Sequence, residues 1–74
     1  AATFTTNSGR HLLEAGDLDG ALSQFRSAID SQPTYAPAHY QLALALKRKG
    51  DNAGAAAELQ KAAELDPRFK SPTE

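Results

Sequence analysis

The sequence predicts an all-α fold, a solenoid of two stacked helix-turn-helix units, and three observations lead there. Five residues recur at one fixed offset: Gly16, Asp17, Ala21, Ala28 and Pro33 return 34 residues later as Gly50, Asp51, Ala55, Ala62 and Pro67. The apolar residues between these marks fall at helical spacing. The recurring glycine, aspartate and proline stand at the chain breaks, where similarity between two alanine-rich helices would not place them. A supersecondary unit of this length cannot bury its own apolar face and stacks on its neighbour.

The alignment of 2–35 on 36–69 needs no gap, and it also places Ala2 on Ala36, Leu12 on Leu46, Gly20 on Gly54, Phe25 on Leu59 and Tyr35 on Phe69. The expected organisation is therefore a first unit over 2–35, a second over 36–69, and a stretch at 70–74 that is either a linker or the start of a truncated third unit.

The first helix is expected from Thr3 to Ala15, with Phe4, Ser8, Leu12 and Ala15 as its buried stripe and Gly16 ending it. Asp17 or Asp19 can cap the second helix, whose stripe is Leu18, Ala21, Leu22, Phe25, Ala28 and Ile29. The third opens at Ala36. Pro37 suits its first turn, where a missing amide hydrogen costs nothing, and Ala38, Leu42, Ala45 and Leu46 form its stripe. The alternating run Leu42 to Leu46 could pass for a strand, but leucine and alanine are strong helix formers and Pro37 and Gly50 bracket the segment. Asp51 and Asn52 offer capping oxygens for a fourth helix carrying Ala55, Ala56, Leu59, Ala62, Ala63 and Leu65, which stops before Pro67. Gly20 and Gly54 fall in the first turn of the second helix of each unit, where each costs up to ~1 kcal/mol relative to alanine. The pattern gives them no function.

Composition narrows the function. At 74 residues with no cysteine, the chain is one domain at most, with no disulfide to staple it and no cysteine-based zinc site. A net charge of -1 argues against a nucleic-acid platform, which needs a strongly basic face. The basic run Lys47, Arg48 and Lys49 is accounted for by the dipole at the end of the third helix. No apolar run approaches the length of a membrane helix, so no membrane partner is expected.

Helix-turn-helix units with a Gly-Asp turn, small residues at close contacts and a closing proline resemble the tetratricopeptide repeat. The resemblance covers 2–69 and is carried best by Ala21, Phe25, Ala28 and Pro33, then by Ala55, Leu59, Ala62 and Pro67. On the first helix of each unit, Phe4 or Thr5, Ser8, Gly9 and Leu12, and then His39, Leu42, Ala43 and Leu46, fill the family's positions, with leucine where an aromatic is usual. The resemblance implies a right-handed α-α superhelix whose first helices line a concave groove for a peptide or helix of a partner protein. It implies no cofactor. The family's best known subset clamps a chaperone's terminal carboxylate with lysine and asparagine; Thr6, Arg10 and Gln41 stand at those positions here, so that role is not carried over.

Rotating each first helix away from its stripe gives the groove residues independently. They are Thr6, Asn7, Arg10, Leu13 and Glu14 on the first helix, and Tyr40, Gln41, Leu44, Lys47 and Arg48 on the third. Tyr40 and Leu44, one turn apart on a non-core face, suggest a short apolar strip, and Arg10, Lys47 and Arg48 give it cationic edges. That suits a peptide with one or two hydrophobic anchors and acidic neighbours. Tyr35 and Phe69 are expected as plugs at the junctions between units.

Other classes fit less well. His11 and Glu14 lie three residues apart on one helix, but two ligands make no metal site, and neither a nucleophile nor a base with an orienting partner is evident. His39 is read in the same way, as structural or solvated, and no catalysis is expected. A self-association module is the alternative, because Ala56, Leu59, Ala63 and Leu65 on the fourth helix would form an apolar strip able to pair two chains as a homo-dimer.

Overall fold

The computed structural model describes residues 2–70. Four helices follow in order, α1 (Ala2–Glu14), α2 (Leu18–Ser31), α3 (Ala36–Lys49) and α4 (Asn52–Leu65), and a 3-10 turn at Pro67–Phe69 follows them. Among the described residues there is no strand. The expectation for 70–74 lies outside the described residues apart from Lys70.

The recurrence of Gly-Asp has a mechanical cause. Gly16 and Gly50 adopt positive φ, 89° and 99°, which a side chain would strain. That turn lets the Asp17 amide donate to the Leu12 carbonyl and the Asp51 amide to the Leu46 carbonyl, both at 2.9 Å, so each aspartate backbone closes the preceding helix. Each aspartate side chain then opens the next helix, with Oδ1 accepting from the amide of Gly20 at 3.0 Å and of Gly54 at 2.9 Å. Of the candidates Asp17 and Asp19, it is Asp17 that caps α2. Gly20 and Gly54 gain their reason here. A Cβ on Gly20 would stand 2.5 Å from the Asp17 carboxylate, and one on Gly54 would strike the Asp51 carboxylate in the same way.

Packing follows from small residues facing large ones. Phe25 is fully enclosed, in one cluster with Leu13, Ala21 and Leu22 of the first unit and Leu42, Ala45, Leu46 and Ala55 of the second. Gly9 makes room for its ring, since a Cβ there would lie 2.5 Å from Cε1. A second cluster joins Ala2, Ala28 and Ala38, with Ile29 and Tyr35 packed against it, so α3 closes over α1 and α2 together. Tyr35 also accepts a hydrogen bond from the Thr3 hydroxyl at 3.1 Å, which ties the start of α1 to the junction between units.

The stripe expected on α1 is corrected. Its buried residues are Ala2, Thr6, Gly9 and Leu13, while Phe4 is 78% exposed, Ala15 is exposed, and Ser8 and Leu12 are only half-buried. The physical reason is the number of neighbours. Phe4, Ser8 and Leu12 stand at the offset of Ala38, Leu42 and Leu46, the buried face of α3. Periodicity finds that stacking face in both units, but among the described residues only α3 has a unit beneath it.

Candidate functional site

A cavity of about 810 Å³ lies between α3, α4 and the turn at Pro67–Phe69. One wall is Tyr40, Leu44 and Lys47 from α3, and the other is Ala56 and Leu59 from α4. Phe69 lines it as well, with its ring centroid 4.9 Å from that of Tyr40 at a 35° tilt. This pair is an offset aromatic contact that holds Tyr40 in place. The turn is set locally: Pro67 fixes its first residue, and the Asp66 carboxylate accepts from the Arg68 amide at 3.0 Å.

The cavity joins residues that the sequence assigned to two separate faces. Tyr40, Leu44 and Lys47 were expected in a groove, Ala56 and Leu59 on a self-association strip, and they line one hollow. Ala63 is half-buried and Leu65 is 40% exposed, both outside the lining.

The α1 side of the expected groove is corrected. Thr6 and Leu13 are buried, 3% and 6% exposed, so neither presents its side chain to a ligand. Leu13 is held in the core cluster with Leu42, Ala45 and Leu46 of α3. Asn7 and Arg10 are exposed on α1 but do not line the cavity, and Gln41 is half-buried outside it. Arg48 has another task. Its Nη1 donates to the Leu13 carbonyl at 3.2 Å and fastens α3 to the end of α1.

Charge around the rim is uneven. Lys47 and Lys70 line it with Arg68, but the Arg68 Nη2 lies 2.7 Å from Asp66 Oδ2 and its Nε also donates to that carboxylate. The hydrogen bonds from Arg68 hold the Asp66 carboxyl below the usual carboxylate value. Arg68 is thus neutralised in place, and among the described residues no ion pair compensates Lys47 or Lys70.

The histidines have structural or solvated surroundings. His39 is 3% exposed, with Nδ1 2.7 Å from Glu58 Oε1 and Nε2 2.7 Å from the Pro33 carbonyl. The Pro33 carbonyl can only accept, so Nε2 donates to it and Nδ1 pairs with the Glu58 carboxyl. His39 bolts α3 to α4 and to the turn after α2. His11 is exposed, and no group of three or more metal-ligating side chains occurs among the described residues.

Sequence reasoning missed Phe69 and Lys70 as cavity residues, and placed Phe69 as a junction plug. The available signal was Pro67 after Asp66, which starts a turn that brings the chain back over α3.

With the fold and cavity in view, comparison with known proteins decides the family. A tetratricopeptide repeat family model matches residues 6–68. The chain belongs to the tetratricopeptide repeat family. Among curated proteins it is similar to DnaJ homolog subfamily C member 3 of Bos taurus, 39% identical over 61 residues. The match covers 82% of this chain and 12% of that protein's length. Tetratricopeptide repeats generally mediate protein–protein interaction, typically without catalysis.

Proposed function

We propose that this tetratricopeptide pair binds an amphipathic helical segment of a partner protein in the cavity between α3 and α4, with no chemistry of its own. The observation that carries this reading is an apolar hollow with a cationic rim: Tyr40, Leu44, Leu59 and Phe69 inside, Lys47 and Lys70 at the edge. Its volume of about 810 Å³ accommodates several side chains. The ligand's chemistry follows from complementarity. One or two hydrophobic anchors enter the hollow, and acidic neighbours meet the lysines. Asn7, Arg10 and Gln41 extend the proposed contact surface along the concave side, where the Arg10 charge steers an acidic ligand more than it binds it.

Selection from a random peptide display library tests this. Peptides enriched on the native chain should carry hydrophobic anchors flanked by aspartate or glutamate. Leu44→Asp should abolish their capture and leave the helical circular dichroism signal intact, because Leu44 is 37% exposed and its replacement buries no charge. Equal capture by Leu44→Asp would remove the cavity from the binding surface.

A second reading is self-association through α4. It is favoured by the exposure of Ala56 and Leu65 and the half-burial of Leu59 and Ala63 along one helix. Such strips tend to find partners.

A further inference from the structure

We propose that the helix suited to the cavity is α1 of a second copy of this chain, so that copies associate head to tail. The inference rests on the cavity being a binding surface for a helix, and it names that helix.

The first argument is continuity with an interface that the chain already contains. Moved back by the 34-residue offset, the cavity residues Tyr40, Ala43, Lys47, Ala55, Ala56 and Leu59 become Thr6, Gly9, Leu13, Ala21, Leu22 and Phe25. All of the latter are buried, and Leu13, Ala21, Leu22 and Phe25 share the cluster that α3 completes with Leu42, Ala45 and Leu46. The cavity is therefore the open counterpart of the surface that α3 occupies on the first unit. The equivalent of α3 is α1, whose corresponding face is the one found open: Phe4 is 78% exposed, and Ser8 and Leu12 are half-buried.

The second argument is a matched exchange of size. Where α2 offers Leu22, Phe25 and Ile29 to its neighbour, α4 offers the smaller Ala56, Leu59 and Ala63. Where α3 inserts Ala38 against Ile29 and Tyr35, α1 carries the larger Phe4, which would meet Ala63 and Phe69 of the other copy. Space lost on one side is filled from the other, as dense packing requires. The exchange is incomplete at three points, since Ser8 and His11 stand at the places of Leu42 and Ala45 and Lys47 at that of Leu13, so the junction between copies is weaker than the junction within one.

Charge is the third argument. At the offset, Glu14 of the incoming copy takes the place of Arg48, whose guanidinium donates to the Leu13 carbonyl; a carboxylate cannot repeat that bond, but it comes near residue 47, which is a lysine. Opposite charges meet there, and they fix register and orientation more than affinity. The incoming helix starts beside Lys70, at the offset of Ala36.

Such a contact is heterologous. It joins two different faces and leaves one of each free, so it grows as an open series instead of closing as a symmetric dimer. Sedimentation velocity over a concentration series tests this with two variants at exposed positions, Phe4→Asp and Ala56→Arg, each checked for an unchanged melt. The native chain should pass through dimer and trimer masses as concentration rises, and each variant alone should stay monomeric. Mixed together, Phe4→Asp supplies an intact cavity and Ala56→Arg an intact α1, so the mixture should form a heterodimer and nothing larger. A native chain that stays monomeric, or a dimer that survives Phe4→Asp, or variants that fail to complement, would each overturn head-to-tail association. Peptide capture sensitive to Leu44→Asp would stand in all three cases, so this inference can fail while the reading of the cavity holds.

Discussion

Gly9 and Phe25 form one contact whose partners the chain itself exchanges in its second unit, and that exchange can be tested as a double-mutant cycle. A Cβ at position 9 would stand 2.5 Å from Cε1, 2.7 Å from Cδ1 and 3.0 Å from Cζ of Phe25. Carbon atoms rest at about 3.5–4.0 Å, so the ring would have to withdraw by roughly 1 Å. It has nowhere to go, being fully buried among Leu13, Leu22, Leu42 and Leu46. Overpacking of this kind costs about 1–3 kcal/mol, against a gain of at most ~1 kcal/mol for alanine over glycine in a helix. Gly9→Ala should therefore lose stability by about 1–2 kcal/mol, the reverse of what propensity alone gives. Phe25→Leu alone should cost about 1 kcal/mol, because it thins the packing around an empty Cβ position.

The second unit carries Ala43 and Leu59 at these two places, both in the lining of its cavity, so the combined variant recreates a pair that this fold already holds. Leucine lacks the outer ring atoms that the new methyl would strike. The double variant should be more stable than the sum of the single losses predicts by at least ~1 kcal/mol, a coupling typical of residues in contact. Urea unfolding followed by helical circular dichroism at constant m-value measures all four corners of the cycle. Losses that add to within about 0.5 kcal/mol would show that the two sites are independent and refute the argument.

The other expectations concern the turns, the buried histidine and the core. Asp17→Ala should cost about 1 kcal/mol by removing the cap on the Gly20 amide, and Gly20→Ala should also destabilise, since its methyl would meet the Asp17 carboxylate; thermal melts compare them. If Gly20→Ala raises the melting temperature, propensity outweighs the cap. His39→Ala leaves the Pro33 carbonyl and Glu58 without their partner and should cost on the order of 1–3 kcal/mol, measured by chemical denaturation, with hydrogen exchange at the α2–α3 junction rising alongside. Phe25→Ala should cost about 3–5 kcal/mol, comparable with the whole stability of so small a domain; a cooperative melt near the parent temperature would place Phe25 outside the core.

The sequence determined what is decided within a turn or two of helix. Gly16 and Gly50 supply positive φ, Asp17 and Asp51 close one helix and open the next, and these short-range bonds recur wherever the same residues do. The four helices and their order were therefore legible. Tertiary structure decided which apolar face has a neighbour. Thr6 and Leu13 looked free on a helical wheel, and Phe4 looked buried, because a wheel records the faces of one helix and not how many units stack on it. The convergence of Tyr40 and Leu44 with Ala56 and Leu59 was equally invisible, since it depends on how α3 crosses α4 and on Phe69 turning back onto Tyr40. Burial is a property of the pair in contact, and the partner surface here lies tens of residues away or in another unit.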